Sequence, residues 1–212
     1  MTGGGDALLA PTFRHSGSNW FNLRAIRDYS PTALLAGTAP EKAGLRAFLR
    51  GYGVEPALDH QTDPLVKLQA YLARPAAGVP SRFSDGSYRV IYLGDEPETC
   101  LAEVSHHLAR TLAETEAEKA RTHYFILARF RLGGTSLDVR KGFPRLHLRH
   151  DWATAQAFGS RAWSQGALGI LFHAVRRARA ANVAVFRAGL VKAGTPMHLV
   201  GLRWEGNRLV QV

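Results

Sequence analysis

Residues 81–107 constrain the fold of this chain more than any other segment, because they specify a turn, a strand and a helix in succession. The apolar run at 90–93 (Val-Ile-Tyr-Leu) is bounded by Gly94 and predicts a short buried strand. Asp95 then has the position of a helix N-cap, and Glu98 lies three residues on, where it would complete a capping box. A strand that leads directly into a capped helix is therefore expected.

The helix predicted after Asp95 combines an apolar stripe with two polar side chains beside it. The stripe has the spacing of one buried helix face: Leu101, Val104, Leu108 and Leu112. Glu103 lies off this stripe, and His107 follows one helical turn later on the same side. Arg82, in a turn rich in Ser, Asp and Gly, and Tyr92, in the strand, precede them. This grouping indicates a site without identifying a reaction.

Strands and helices mix along the rest of the chain without regular βαβ alternation, which favours an α+β fold over a doubly wound sheet. The patterns predict helices at residues 41–49, 63–72 and 152–165, the last stopped by Gly166. They predict strands at 122–132, 137–139, 169–172 and 183–186, a turn at Gly133-Gly134, and a hairpin over 195–212. The clearest break lies at residues 74–81, which contain two prolines and a glycine.

Composition limits the class of protein. At 212 residues with 46% hydrophobic residues, one globular domain is expected, without a membrane span or secretory signal and acting in a cytoplasm. The single cysteine, Cys100, excludes an internal disulfide and is expected to be a small buried hydrophobe rather than a nucleophile. Adjacent helical side chains such as His106 and His107 point about 100° apart, so no metal site is expected. Trp152, Phe158 and Trp163 are assigned to the core.

The net charge of +10 favours an anionic partner, which could be nucleic acid, a phosphate-bearing small molecule or an acidic protein. The densest basic cluster is Arg176, Arg177 and Arg179, which follows an apolar run. Aromatic residues are not interleaved with it as a nucleic-acid stacking platform would require. The charge is therefore interpreted as a solvated or partner-facing surface, and nucleic acid is not the favoured partner.

An ordered set of motifs resembles the RES domain, a family named for its Arg, Glu and Ser residues. The motifs are Arg-Phe-Ser-Asp-Gly-Ser-Tyr at 82–88, Val-Ile-Tyr-Leu at 90–93, Glu-Thr-Cys-Leu-Ala-Glu-Val-Ser-His-His at 98–107, His-Asp-Trp at 150–152, Gln-Ala-Phe-Gly at 156–159, Gly-Ile-Leu-Phe-His-Ala-Val-Arg at 169–176 and Asn-Val-Ala-Val-Phe-Arg at 182–187. The resemblance covers residues 80–212, including the closing hairpin. The first eighty residues match poorly apart from Phe13-Arg14, and they are interpreted as a divergent part of one RES-type domain over 1–212, with a recognisable core at 81–212.

The resemblance implies a bacterial toxin that destroys NAD+ at the nicotinamide–ribose bond, by hydrolysis or phosphorolysis. It implies an ADP-ribosyltransferase-like mixed sheet core with flanking helices, NAD+ as substrate rather than cofactor, and no other cofactor. An antitoxin or an immunity protein is the implied partner, and delivery by a secretion system is an alternative to action in the producing cell. Two competing functions stay open: mono-ADP-ribosylation of a macromolecule, and a non-catalytic basic binding module.

By the same resemblance, Arg82, Tyr92 and Glu103 are the expected catalytic residues. A buried carboxylate such as that of Glu103 can stabilise an oxocarbenium-like state, and nicotinamide leaves as a neutral group without a strong general acid. Arg82 is expected to clamp the pyrophosphate, and the ring of Tyr92 to stack on the nicotinamide. The expected substrate-binding residues are Arg14, Phe83, Ser84, His107, His173, Ala174 and Arg176.

One position departs from the family pattern, since Ala174 stands where the serine of the family name belongs. Three interpretations stay open: a naturally attenuated enzyme, substitution of the serine by a neighbour such as His173, or a deliberate inactivating change that allows a toxic protein to be expressed. The intact remainder of the motif favours the last.

Overall fold

The computed structural model describes residues 10–25, 63–76, 78–113, 122–205 and 208–212. Its strands are β1 (Thr12–Ala25), β2 (Ile91–Gly94), β3 (Thr122–Asp138), β4 (Gly169–His173), β5 (Ala181–Val185), β6 (Val191–Glu205) and β7 (Arg208–Gln211). Its helices are α1 (Pro64–Ala73), α2 (Pro97–Ala113) and α3 (Ala153–Ser164), with short 3-10 turns at Pro144–His147 and Ala188–Leu190. The α+β prediction is confirmed, whereas the helix predicted at 41–49 lies outside the described residues. Within those residues, no helix has both the length and the apolar character that crossing a membrane requires.

Seven strands form one mixed sheet in the order β1-β2-β5-β4-β3-β6-β7, and β1 also pairs with β3. Five strands, β1, β2, β5, β4 and β3, therefore close into a ring, and β6 and β7 extend from it. Every pairing is antiparallel except that of β3 with β4. In the described residues β1 meets β2 at one pair, Phe21 with Gly94. The two strands diverge beyond this point, and the ring opens there.

Strands β4 and β5 are the centre of the core, because both of their faces are buried. Ile170, Phe172 and Ala184 belong to the cluster on one face, and Leu171, Val183 and Val185 to the cluster on the other. Side chains of a strand alternate between the two faces, so a strand covered on both sides requires a continuous apolar run. This explains why the sequences of β4 and β5 are almost continuously apolar.

Each helix completes a different part of the core. Ala155, Phe158 and Ala162 of α3 pack in one cluster with Phe172, and Leu68 of α1 packs in a second with Phe130. The stripe predicted for α2 faces a third cluster formed with strands β1, β3 and β6. Helix α1 approaches β6 closely at Gly194, where an added Cβ would lie 2.7 Å from the backbone nitrogen of Leu65.

Several sequence-based predictions need correction. The proposed Gly133-Gly134 turn is wrong, because β3 runs through both glycines, which pair with Ser16 and His15 of β1. The predicted capping box is not formed, since α2 begins at Pro97. The Asp95 carboxylate instead accepts hydrogen bonds from the Thr99 hydroxyl and from the Ala181 backbone amide, each at 2.7 Å. That carboxylate therefore ties α2 to β5.

Other predictions are confirmed with small shifts. Helix α1 begins after Asp63, whose carboxylate accepts a hydrogen bond from the Leu65 amide at 2.7 Å. Gly166, which follows α3, has a positive φ of 82°. The closing hairpin is formed by β6 and β7, although β6 begins earlier than predicted, at Val191. Strand β2 is one residue later than expected, and its Ile91 and Tyr92 are half-buried because they border a cleft.

Candidate active site

A cleft of about 610 Å³ opens where β1 and β2 diverge. Residues 22–25 of β1 line one side, and residues 90–92 line the other. The Asn22 side-chain amide donates a hydrogen bond to the Tyr92 backbone carbonyl at 2.9 Å and so links the two strands where they diverge. Helix α2 contributes Glu103 and His107, and helix α1 contributes a further wall. A cleft of this volume is in the range of small-molecule sites.

Glu103 is held in the lining of this cleft by a hydrogen bond from a neighbouring strand. The Asn182 side-chain amide, on β5, donates a hydrogen bond to Glu103 Oε1 at 3.3 Å. Asn182 is 4% exposed, so its amide is a fixed donor rather than a solvated one. Asn182 pairs with Gly94 of β2 and with Phe172 of β4, so it lies on a strand with a hydrogen-bonded neighbour on each side. The carboxylate is thereby oriented by the core of the sheet.

Arg82 lies in a turn whose position is set by backbone carbonyls from another segment. Its Nη1 donates to the carbonyl oxygens of Leu146 and Leu148 at 3.1 and 2.8 Å. Its guanidinium carbon lies 5.9 Å from the centre of the Trp152 ring. Burial lowers the pKa of Arg82, while the charge of Glu103 acts in the opposite direction. Arg82 and Glu103 therefore lie within electrostatic range of each other in the lining of the cleft.

Tyr92 positions this turn through its hydroxyl. Its oxygen accepts a hydrogen bond from the Phe83 amide at 3.0 Å and lies 2.9 Å from Ser81 Oγ. Burial raises the pKa of Tyr92 to about 12, and the hydrogen bond with Ser81 acts against that rise. The phenol is therefore neutral and already engaged within the protein. Its ring is left to line the cleft, with its edge toward Phe172.

Basic side chains outnumber acidic ones in the described lining of the cleft. Among the described residues that line it, Arg24, Lys67, Arg82 and Arg176 are basic, and Glu103 is the one acid. The pKa of His107 is lowered by burial and by the charges of Arg176, Arg110 and Arg82, so the imidazole is neutral at neutral pH. A neutral imidazole adds no charge to the lining of the cleft. Such a surface suits an anion that carries a centre of developing positive charge next to one carboxylate.

The model of the RES domain matches residues 52–205, which is more than half of the chain. The chain belongs to the RES family. The match begins earlier than the resemblance in the sequence suggested, at residue 52 instead of 80, and it ends at 205. It therefore includes α1, which forms one wall of the cleft.

A chain in the crystal structure of the M. tuberculosis MbcT–MbcA toxin–antitoxin complex is similar to this RES chain. The TM-score is 0.49 at 15% sequence identity, and the similarity covers 88% of this chain and 87% of that one. Among curated proteins, no sequence matches.

The structure brings five of the expected site residues of this RES chain together on the cleft: Arg82, Tyr92, Glu103, His107 and Arg176. Phe83 and Ser84 are adjacent but differ from the expectation, because both side chains are buried inside the turn. Phe83 packs edge-to-face on Phe172, and the Ser84 hydroxyl donates to the Tyr88 carbonyl at 2.7 Å. They support the turn rather than form the wall of the cleft.

Arg14, His173 and Ala174 lie outside the described lining of the cleft. Arg14 is exposed near the start of β1, ten residues before Arg24. Because consecutive strand residues advance about 3.3 Å, the length of β1 separates Arg14 from the part of the strand that lines the cleft. The His173 amide donates to His147 Nε2 at 3.2 Å, while its side chain is exposed. The Ala174 amide donates to the Ala180 carbonyl at 2.9 Å and closes the loop that carries Arg176.

Sequence analysis missed several residues of the lining, among them Arg24, Trp152, Asn182 and the residues of α1. Arg24 follows Leu23 at the end of β1, and the weak periodicity of that region hid the strand that presents it. Trp152 was assigned to the core, yet it borders the cleft beneath Arg82. The His-Asp-Trp motif was a usable signal, because a tryptophan next to two polar residues at a helix start is poorly placed for a core.

Cys100 also borders the cleft, as a buried thiol that donates to the Phe21 carbonyl at 2.9 Å. Burial raises its pKa to about 12, which suppresses the nucleophilic thiolate. This agrees with its expected role as a small buried residue. Within the described residues, no three His, Cys, Asp or Glu side chains are grouped as a metal site would require.

Proposed function

We propose that this RES chain cleaves the nicotinamide–ribose bond of NAD+, with water or phosphate as the acceptor. One observation carries the proposal: in the described lining of a cationic cleft, Glu103 is the one acid, and a buried amide fixes its orientation. NAD+ combines an anionic pyrophosphate with a cationic nicotinamide, and its ribose becomes more positive as the bond breaks. The cleft has the complementary arrangement of charge.

In the proposed reaction the C–N bond breaks and its electron pair goes to the nicotinamide ring, which leaves neutral. The ribose carbon develops positive charge, which the Glu103 carboxylate stabilises at close range. The acceptor oxygen then bonds to that carbon. Water loses a proton to solvent or to the carboxylate, whereas phosphate attacks through an anionic oxygen and has no proton to lose there. Because the leaving group becomes neutral on departure, the neutral Tyr92 phenol is not needed as an acid, and its hydroxyl serves the turn instead.

Arg82 and Arg176 are the proposed pyrophosphate ligands. In the described residues, the hydrogen bonds of Arg82 to Leu146 and Leu148 engage Nη1, so Nε and Nη2 remain for phosphate oxygens. A guanidinium that already donates two hydrogen bonds to the protein loses little conformational freedom on binding phosphate, so it can bind tightly. Arg176 reaches the same cleft from the loop that follows β4. The tyrosine ring of Tyr92 is proposed to face the nicotinamide.

We propose that Ala174 lowers this activity, because it lacks the hydroxyl expected at that position of the family. Ala174 lies two residues before Arg176, in the loop closed by the Ala174–Ala180 hydrogen bond. A serine there would add a hydroxyl next to a proposed phosphate ligand without altering the backbone bond. Its effect is therefore separable from folding.

The direct test is nicotinamide release from NAD+ by the purified chain, with and without phosphate, together with Ala174→Ser. We expect turnover that increases in Ala174→Ser and is lost in Ala174→Ser combined with Glu103→Gln. Glu98→Gln is a matched control, because Glu98 is an exposed acid on the same helix. Unchanged NAD+ in every variant would contradict the proposed function. Labelled ADP-ribose on a macromolecule, with no free product, would favour the transferase alternative.

We also propose that an acidic antitoxin or immunity protein restrains the chain in the cytoplasm. The net charge of +10 and the basic side chains in the lining of the cleft support this proposal. The expected result is recovery of an acidic protein with the chain from native lysate, in a complex that releases no nicotinamide from NAD+. Recovery of the chain alone would contradict it.

A further inference from the structure

We propose that Tyr71 of α1 is a platform for the purine base of the substrate, so that the cleft selects adenine dinucleotides over nicotinamide mononucleotide. This inference rests on the proposed function and adds to it a second binding subsite. It follows from the wall of the cleft that α1 supplies, which none of the roles given to Glu103, Arg82, Tyr92 or Arg176 uses.

Tyr71 is an exposed aromatic side chain held in a fixed position. It is 37% exposed and lines the cleft. The guanidinium carbon of Arg89 lies 4.7 Å from the centre of its ring. Arg89 is itself anchored, since its Nε donates to the Pro75 carbonyl at 2.7 Å. Arg89 thus covers one face of the ring, and the cleft has access to the remainder.

The surroundings of Tyr71 suit a flat apolar group. The neighbouring wall consists mainly of apolar side chains: Pro64, Leu68, Ile91, Ile126, Phe130 and Pro196. Leu68 is 3% exposed and belongs to the core, so α1 is firmly seated. A base that stacks on an aromatic ring gains affinity through its π face and does not require a hydrogen-bond code.

The position of this wall matches the second half of a dinucleotide. The proposed pyrophosphate ligands, Arg82 and Arg176, lie in the turn before β2 and in the loop after β4, whereas Tyr71 belongs to a separate element of the lining, α1. Tyr71 and Tyr92 both line the cleft, so the platform and the reactive part belong to the same cavity. A nicotinamide next to Glu103 would leave the adenosine half to occupy the α1 wall. The mononucleotide lacks that half.

The test uses calorimetric binding of AMP, nicotinamide mononucleotide and NAD+ to the full chain, alongside nicotinamide release. In Tyr71→Ala we expect AMP and NAD+ to bind about tenfold more weakly, from the loss of one base stack, and the mononucleotide to bind unchanged. Tyr71→Phe keeps the ring and should retain wild-type affinity for AMP. Phe13→Ala is a matched control, because Phe13 is also 37% exposed beneath an arginine, Arg140, but does not line the cleft.

The outcomes separate the two proposals. No binding of AMP, unchanged AMP affinity in Tyr71→Ala, or an equal loss for AMP and the mononucleotide would overturn the purine platform. The expected binding pattern without nicotinamide release, even in Ala174→Ser, would contradict the proposed cleavage and leave the platform supported. A loss in Tyr71→Phe as large as in Tyr71→Ala would assign the effect to the hydroxyl and overturn stacking.

Discussion

The Tyr92 hydroxyl accepts a hydrogen bond from the Phe83 amide at 3.0 Å, and this contact joins β2 to the turn that carries Arg82. From the opposite side, the Gln156 side chain of α3 donates to the Ser81 carbonyl at 3.0 Å. The turn is therefore held between a strand and a helix that are far apart in sequence. The position of the Arg82 guanidinium depends on both contacts.

Tyr92→Phe should lower the free energy of unfolding by about 1–3 kcal/mol, because the buried Phe83 amide loses its acceptor. The measurement is urea denaturation of the variant and the parent chain. Ser81→Ala is the control, since it removes the 2.9 Å contact to the same hydroxyl but keeps the hydrogen bond from the Phe83 amide. A loss in Ser81→Ala as large as in Tyr92→Phe would show that the amide is not the important partner.

Gly159→Ala should destabilise the protein although alanine favours helices. An added Cβ would lie 2.2 Å from the Phe83 carbonyl oxygen, which the Tyr88 hydroxyl also holds in place. We expect overpacking to cost about 3 kcal/mol and the helix-propensity gain to offset about 1 kcal/mol, which leaves a net loss of about 2 kcal/mol. Thermal unfolding would measure it.

Gly189→Ala is the control for that change, because the nearest atom to its added Cβ is a Leu168 side-chain carbon at 3.9 Å. It should leave the melting temperature nearly unchanged. Equal stability of Gly159→Ala and the parent would mean that α3 and the turn separate easily, which would argue against a fixed Arg82.

Asn182→Leu should reduce nicotinamide release about tenfold, because hydrogen bonds to charged groups contribute about 1.5–3 kcal/mol and this one is long. Asn182→Asp should reduce it further, since two carboxylates would then face each other. Steady-state kinetics of the Ala174→Ser form measure both. If the amide acts by orienting Glu103, the loss in Asn182→Leu should appear in kcat, with the KM for NAD+ nearly unchanged. A loss that appears in KM alone would assign Asn182 a role in substrate binding.

The parts of the fold that could be predicted from sequence are those with local signals. The stripe of α2, the Asp63 cap of α1 and the closing hairpin each depend on residues close together in the chain. Strand β1 could not be predicted, because its sequence has weak alternation and its pairing with β3 joins residues at least 100 positions apart. The same pairing carries β3 through Gly133 and Gly134, which in isolation indicate a turn.

The candidate site divides in the same way. Arg82, Tyr92 and Glu103 lie within one strand-to-helix segment, so their proximity followed from local order. Arg24 and the α1 wall reach the cleft only through the closure of the strand ring, which no local pattern specifies. The buried role of the Tyr92 hydroxyl likewise depends on the path of the turn, and sequence analysis had assigned only its ring.

His15 is a buried histidine with one unsatisfied nitrogen. It is 2% exposed, its Nε2 lies 3.0 Å from Ser136 Oγ, and its Nδ1 is buried without a hydrogen-bond partner in the described residues. Burial lowers its pKa below 6.5, and the charge of Arg140 adds to this effect, while that of Asp138 opposes it. The folded protein therefore resists protonation of this imidazole.

Because the pKa of His15 is lower in the folded than in the unfolded state, the unfolded chain binds the proton more readily at acidic pH. Its contribution to stability is complete above the unfolded value of 6.5 and is lost as the pH falls from there toward the folded pKa. His15→Phe removes this linkage, so its free energy of unfolding should fall less between about pH 8 and about pH 5 than that of the parent. The comparison uses the pH slope and not the absolute stability, since the variant also leaves Ser136 without its partner. His150→Phe replaces an exposed histidine and should keep the parental slope. A parental slope in His15→Phe would mean that the buried imidazole does not govern acid sensitivity.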